Sequence, residues 1–381
     1  MGLLFTTDDF PAGAEAKIGR IAVIGSGAWG TALAVVALSA GRSVRLWGRD
    51  QALVDDINTV HVNTRYMPDV PLPEGLIATT DIEEACVDAD AVLIVTPSNT
   101  LREICAQIRP FLGANVPVAL CCKGIERGTG LPLSQLCEEE LPGHPIGALS
   151  GPTFARETAL GHLTAATIAF PFSYQDRLHP EQSAAARLAL AMGSEAFRPY
   201  ISDDLIGVEI GGAVKNVIAI ACGMMTGAGF AENTRAALIT RGMDEMKRLA
   251  EELGGRRETI TGLSGAGDLT LTCSSQTSRN MSLGVQLGQG IARADCFEGR
   301  NVVVEGEINA ISVVELAAIV HVQMPICEAV HAILHQGAPI GATFAALWSL
   351  PIQAEPKSLG KISINHPAKQ SAVNDLAQRM S

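Results

Sequence analysis

The sequence predicts an α/β fold: an N-terminal Rossmann-type doubly wound sheet followed by an all-helical C-terminal domain. Three observations carry this. Short apolar runs alternate with helical periods from Ile21 to about residue 202. The first apolar run leads straight into GSGAWG, which opens the first helix. Beyond Asp203, helical periods continue to about Leu350 with almost no strand signals.

Residues 1–17 read as a flexible leader, too short and too acidic for a signal peptide. Residues 18–203 form the predicted dinucleotide-binding domain. In it, RIAVIGSG is the first buried strand, and WGTALAVVALSAG is a helix closed by Gly41. SVRLWGRD is the next strand. AVLIVTPS and VPVALCCKG follow, separated by the helical NTLREICAQIRPFL. PIGALSGP and LTAATIAF continue the series, and EAFRPYIS is its last member. Strands alternating with helices imply a parallel sheet. Residues 204–350 form the helical domain. Its clearest helix is NTRAALITRGMDEMKRLAEELGG, with Asn233 as cap and Gly254 as stop. Residues 351–381 are rich in Pro, Ser, Lys and Gln, a composition expected to be disordered.

Hydrophobic residues make up 47% of the 381 and aromatic residues only 4%, so the core must be built from Ala, Val, Ile and Leu. A net charge of -12 argues against nucleic acid as a partner, because no basic surplus exists to meet phosphates. The nine cysteines fall mostly in apolar runs and form no CxxC pair. They read as small core residues of a reducing compartment, with neither a disulfide framework nor a metal site. No uninterrupted apolar stretch reaches the length of a membrane span. A cytoplasmic protein without membrane insertion is expected.

GSGAWG places Gly25, Gly27 and Gly30 at G-x-G-x-x-G spacing. The first glycine suits the tight turn, the second lets backbone approach a pyrophosphate, and the third lets helix pack on strand. The second strand ends in LWGRD instead of an acid at the junction. Arg49 there suits a 2′-phosphate, so NADP is favoured over NAD, although Asp50 one step later still suits a ribose hydroxyl.

Three polar islands follow apolar runs. CCKG carries Lys123, and LSGPTFARE carries Gly151, Thr153 and Ala155. Carboxyl ends of strands line the binding crevice of such sheets, so Lys123 stands either at a ligand or on plain surface. GLSGAGDLTLTCSSQTSRN is the third. Its glycines are expected to break any helix, Arg279 with Asn280 suits a phosphate, and Asp268 calls for a cationic partner. Glu305 in VVVEGEIN either touches cofactor or caps the next helix. The odd residue is Lys215 in GGAVKNVIAIACGM, an ammonium in an apolar helix. Burial is costly unless it is paired, and Asp268 with a ligand offers that pairing. Otherwise its stem packs while its head reaches water.

From about Ile21 to Pro325 these motifs keep one order: GSGAWGTALA, YMPDVPLP, CCKGIERGTG, LSGPTFARE, GVEIGGAVKNVIAIACGM, NTRAALITRG, SGAGDLTLTC, SRN and VVEG. The chain resembles the bacterial NAD(P)-dependent glycerol-3-phosphate dehydrogenases. The resemblance implies reduction of dihydroxyacetone phosphate to sn-glycerol 3-phosphate, or the reverse, supplying glycerophospholipid synthesis. It implies Lys215 as general acid/base, with Lys123 beside it at the carbonyl and Asp268 and Thr272 in the same cluster. Gly151, Thr153, Asn216, Ser278, Arg279 and Asn280 would bind the substrate. Gly25, Gly27, Ala28, Trp29, Gly30, Arg49, Lys123, Ala155, Arg279, Val303 and Glu305 would line NAD(P). A homodimer is a family-level expectation. The leader, the long FPFSYQDRLHPEQ and the region after Pro325 depart from the family wording. Rival readings are a related two-domain hydroxy-acid dehydrogenase and a silent cofactor-binding regulator.

Overall fold

In the computed structural model, which describes residues 18–353 and 363–364, the first apolar run is strand β1, Arg20–Ile24. Ile21 and Val23 enter one core cluster, Ala22 and Ile24 the other. That alternation follows from the period of two along a strand. A strand apolar on both faces needs cover on both, which helices provide. The chain continues through β2 (Ser43–Trp47), β3 (Val62–Asn63), β4 (Met67–Pro71), β5 (Ile77–Thr79), β6 (Ala91–Ile94), β7 (Val118–Leu120), β8 (Ile146–Ser150), β9 (Thr164–Ala169) and β10 (Phe197–Ser202). β3 and β4 pair as a small hairpin. The other eight form one sheet in the order β10-β9-β8-β7-β6-β1-β2-β5.

β1 lies between β2 and β6 and is parallel to both, with Ile21 opposite Val44 and Ala91. The chain winds out through β2 and returns on the other side as β6. The carboxyl ends of β1 and β6 therefore border the switch point where doubly wound sheets bind ligands.

The expected parallel sheet needs correction at one edge. β8 and β9 are antiparallel, with Ala148 opposite Ala169, and β10 is parallel to β9. The connection from β8 to β9 contains only the five-residue helix Ala155–Ala159. Five residues make a helix only about 7.5 Å long, too short to carry the chain back along the sheet for a parallel return, so the chain doubles back instead.

The chain groups into two compact units, Met1–Gly212 with Leu253–Asp268, and Ala213–Glu252 with Leu269–Ser381. Two helices pass from one unit to the other, Leu205–Gly227 and Asp268–Ser274. Among the described residues no strand lies between Leu205 and Pro351. Close packing of the second unit rests on small residues. A Cβ on Gly223 would collide with the Met281 carbonyl, one on Gly284 with the Ile220 carbonyl, and one on Gly288 with the Met224 carbonyl. The helices Leu205–Gly227 and Arg279–Gly288 thus approach backbone to backbone.

The amphipathic helix runs Glu232–Glu252, so Asn233 lies inside its first turn instead of capping it. Gly254 follows with φ +87°. Leu205–Gly227 has the length and hydropathy of a membrane span, but 89% of its most apolar 18-residue stretch is buried inside the protein. It is a core helix. The predicted leader, residues 1–17, lies outside the described residues, as does most of the predicted tail. Within that tail, Ile352–Gln353 pairs antiparallel with Ser363–Ile364.

Candidate active site

β1 delivers the chain to Gly25, whose φ of +124° is strained for any other residue. Beside it run the backbone atoms of Val95 and Thr96, just past β6, 3.0–3.1 Å from where a Cβ would stand. Gly27 is the N-cap of the helix Ala28–Ser39 and offers no side-chain cap. A Cβ on Gly27 would meet nothing within 4 Å, so space is open over that helix N-terminus. A Cβ on Gly30 would collide with the Gly25 carbonyl. Unpaired N–H groups facing open space suit a pyrophosphate. The buried hydroxyl of Thr96, at the same switch point, has no hydrogen-bond partner among the described residues. These observations fit a dinucleotide. Ala28 and Trp29 are half-buried at the helix start. The helix opened by Ala155 packs on Ala28–Ser39.

At the end of β2, Arg49 is exposed and makes no hydrogen bond or ion pair with the described residues. Asp50 is committed elsewhere. Its carboxylate accepts from Ala52 N at 3.1 Å and Leu53 N at 3.4 Å as the N-cap of Gln51–Thr59. It also pairs with Arg65 at 3.3 Å. The sequence reading missed Arg65 and the fully buried Asn63. Asn63 Nδ2 donates to the Ser26 carbonyl at 3.0 Å and to Thr31 Oγ1 at 2.8 Å, fixing the glycine loop. Their signal was faint: both sit in a short hairpin with no apolar period.

The first unit also holds Lys123, three residues past β7. Its Nζ donates to Asp268 Oδ2 at 2.5 Å, with side-chain exposures of 16% and 3%. Asp268 thus has the cationic partner its surroundings demand. The stem of Lys123 lies over Gly212, where a Cβ would be 3.2 Å from Lys123 Cγ. Gly151 directly follows β8, and Thr153 Oγ1 donates back to its carbonyl at 3.3 Å.

In the second unit Lys215 is only 7% exposed. Its Nζ donates to Thr272 Oγ1 at 2.8 Å. Next to it in sequence, fully buried Asn216 accepts from Asn280 Nδ2 at 2.9 Å and donates to Glu305 Oε2 at 3.1 Å. Asn280 Oδ1 accepts from Gly306 N at 2.8 Å. Arg279 donates to the Val303 carbonyl at 2.9 Å and faces Glu305 at 3.7 Å. Ser278 caps the helix Arg279–Gly288 through Met281 N at 3.2 Å. One network therefore joins Asn216, Arg279, Asn280, Val303 and Glu305. Glu305 opens the helix Glu305–Ile319, whose N-cap is Val304, so the capping alternative fails.

The expectation that glycines break any helix in residues 262–280 is overturned. Leu263–Gly267 is a π-helical turn that runs into the helix Asp268–Ser274. Gly265 is there for close approach, because a Cβ would collide with the Ile260 carbonyl. Only residues 275–278 interrupt the helical path. All nine cysteines are free, and eight are buried, as their apolar settings imply. Among the described residues no cluster of three metal-ligating side chains occurs. A cavity of about 670 Å³ on the second unit, lined by Arg241, Arg248, His321 and Trp348 among others, contains none of the predicted site residues.

Residues 20–175 match the N-terminal part, and 204–345 the C-terminal part, of NAD-dependent glycerol-3-phosphate dehydrogenase. The chain belongs to the NAD-dependent glycerol-3-phosphate dehydrogenase family. It is 45% identical over 355 residues to glycerol-3-phosphate dehydrogenase [NAD(P)+] of Rhodospirillum rubrum, covering 93% of this chain and 98% of that one. It is 47% identical over 336 residues to the protein of that name from Parvibaculum lavamentivorans, covering 88% and 98%. The crystal structure of glycerol-3-phosphate dehydrogenase from Coxiella burnetii superposes with a TM-score of 0.80 at 36% identity, covering 87% and 99%. Family membership makes this an NAD(P)-dependent oxidoreductase.

Proposed function

We propose that this enzyme reduces dihydroxyacetone phosphate to sn-glycerol 3-phosphate, reversibly, and prefers NADP to NAD. The observation that carries the reading is Lys215, a lysine only 7% exposed, held on Thr272 and flanked in sequence by a satisfied Asn216 network. A family relationship to glycerol-3-phosphate dehydrogenases supplies the substrate class.

When bound, NAD(P)H supplies the hydride. Lys215 Nζ donates the proton that completes the alcohol, and Thr272 holds that nitrogen in place. Lys123 Nζ, anchored by Asp268, adds positive charge where negative charge grows on the carbonyl oxygen. A site with little water makes both charges count for more. Arg279 and Asn280 take the phosphate, with Gly151, Thr153 and Ser278 shaping the pocket around it, and so set the carbonyl at Lys215. Arg279 already has a carbonyl and a carboxylate as partners, which fixes its direction before substrate arrives.

The NADP preference rests on the division of labour at the end of β2. Asp50 is used as a helix cap, while Arg49 is exposed and uncommitted. An arginine there accepts a 2′-phosphate, and a carboxylate occupied by two N–H groups is poorly placed for a ribose hydroxyl. On the resemblance alone, the enzyme is expected in the cytoplasm, as a homodimer without membrane insertion, its product feeding glycerophospholipid synthesis.

A substrate panel tests the reading. NADPH oxidation should be fast with dihydroxyacetone phosphate and slow with 2-keto acids. The reverse order would move the assignment to a hydroxy-acid dehydrogenase. NADPH binding without turnover on any of these substrates would make the chain a silent regulator.

A further inference from the structure

We infer that Glu209 is a positioning residue for the reaction: through Ser134 it fixes the loop that carries Lys123 to the helix that carries Lys215. The inference rests on the roles proposed above for those two lysines.

The loop runs from Cys121 to the helix Leu133–Glu140. It is folded on itself. Ile125 and Pro132 form an isolated bridge, and Glu126 N donates to the Leu131 carbonyl at 2.9 Å. Arg102 clamps its middle from outside, with both Nε and Nη2 on the Glu126 carboxylate at 2.6 and 2.9 Å. Such a loop moves as one piece, so its position is decided by how its ends are fixed. At one end stands Lys123. At the other, Ser134 gives both of its donors to a single carboxylate: its N–H to Glu209 Oε1 at 2.8 Å, its hydroxyl to Glu209 Oε2 at 2.5 Å.

Glu209 belongs to the helix Leu205–Gly227, three residues before Gly212. Gly212 is the residue over which the Lys123 stem passes. That helix therefore meets the loop twice on one face, one turn apart, at Ser134 and at Lys123. Lys215 is the next residue but two after Gly212. A shift of the loop along the helix would carry the Lys123 stem off its place over Gly212. Misplacement of a catalytic group by an ångström is enough to cost turnover.

The carboxylate also sits where a merely structural acceptor is expensive. Glu209 keeps part of its surface exposed, yet protein crowded round the carboxyl pushes its pKa up to about 7, against the pull of the two Ser134 bonds. The titratable groups facing it are Cys137 and Glu138, both on the helix it caps, with Cys105 Sγ 3.5 Å behind Cys137 and Cys122 nearby. Only the ionised form accepts both Ser134 donors. The clamp is then complete above neutrality and loosened below it.

The test uses the full-length enzyme and four variants: Glu209→Gln, Ser134→Ala, their double variant, and Lys123→Met. For Glu209→Gln we expect kcat with dihydroxyacetone phosphate to fall on the order of 10–100-fold at pH 8. The NADPH Kd should stay near wild type, and the unfolding midpoint should not fall, because the neutral amide relieves a desolvated charge. The ratio of variant to wild-type rates should rise as pH falls through about 7. The double variant should lose no more than Glu209→Gln alone, because both changes break one clamp. Three results would overturn the inference: wild-type kcat in Glu209→Gln, a flat rate ratio across pH, or losses that add in the double variant. A kcat loss matched by a loss of NADPH affinity and of folding would also overturn it, leaving Glu209 a structural cap. Lys123→Met separates the two levels. If it turns over normally, the role given to Lys123 fails, whatever Glu209 does.

Discussion

A lysine in an apolar helix is decided by what its Nζ touches. Lys215 touches a threonine hydroxyl at 2.8 Å, and Lys123 touches Asp268. The sequence pattern showed that Lys215 was out of place, and that Asp268 needed a cation. It did not show that Asp268 pairs with Lys123, since these positions are 145 residues apart. Spacing carries no information over that range; motif order did. Arg49 is the other residue on which a prediction turns. Arg49→Ala should lower kcat/KM with NADPH about 10–100-fold, the equivalent of a charge-assisted hydrogen bond of ~1.5–3 kcal/mol. The value with NADH should barely move. Equal loss with both cofactors would remove Arg49 from the 2′-phosphate and leave it a surface residue.

At the scale of elements, the glycine loop and β1 were legible because one motif fixes a strand, a turn and a helix at once. The edge of the sheet was not. β9 and β10 read as strands, but their direction depends on the helix in the β8–β9 connection, which is too short to see in a pattern. Residues 262–280 misled for a related reason. Glycine reads as a breaker in sequence, yet Gly265 and Gly284 serve close packing inside helices. That packing makes a sharp prediction. Gly284→Val should destabilise the protein by more than ~3 kcal/mol, because the added carbons meet the Ile220 carbonyl and the Gly223 backbone, which have no room to yield. Gly290→Val serves as control, since its Cβ would meet nothing within 4 Å, although its positive φ carries a strain of about 1–2 kcal/mol. Urea midpoints of the two variants would decide. Similar small losses in both would show that the two helices do not pack backbone to backbone.

For the whole molecule, buried carboxyls set the pH dependence of stability. Glu209 and Glu245 are both pushed up to about 7 by burial. Glu245 accepts the Ile326 N–H at 2.7 Å and the Cys327 N–H at 3.3 Å, capping the helix Pro325–Gln336, and those bonds only partly offset the desolvation. A carboxyl whose folded pKa is raised binds its proton more tightly in the folded state. Its contribution is therefore full below about pH 4.5, the unfolded value, and is lost as pH rises through 7. Each loss is on the order of 3 kcal/mol. Asp203, held down by the Arg256 guanidinium, and Glu126, held down by Arg102, act in the opposite sense and lose their contribution in acid. Stability should thus peak between about pH 4.5 and 7. Urea unfolding from pH 4 to 9 checks it, and a maximum above pH 8 would contradict it.

Catalysis by Lys215 is the claim to which the rest is attached. The most direct measurement mixes dihydroxyacetone phosphate with enzyme already saturated in NADPH and follows the loss of NADPH absorbance in a single turnover, for wild type and for Lys215→Met. The account predicts a rate lower by about 10²–10⁴-fold in the variant, as loss of a general acid implies, with NADPH affinity unchanged. A variant that stays folded, binds NADPH and turns over within a few-fold of wild type would show that Lys215 is buried for some other reason.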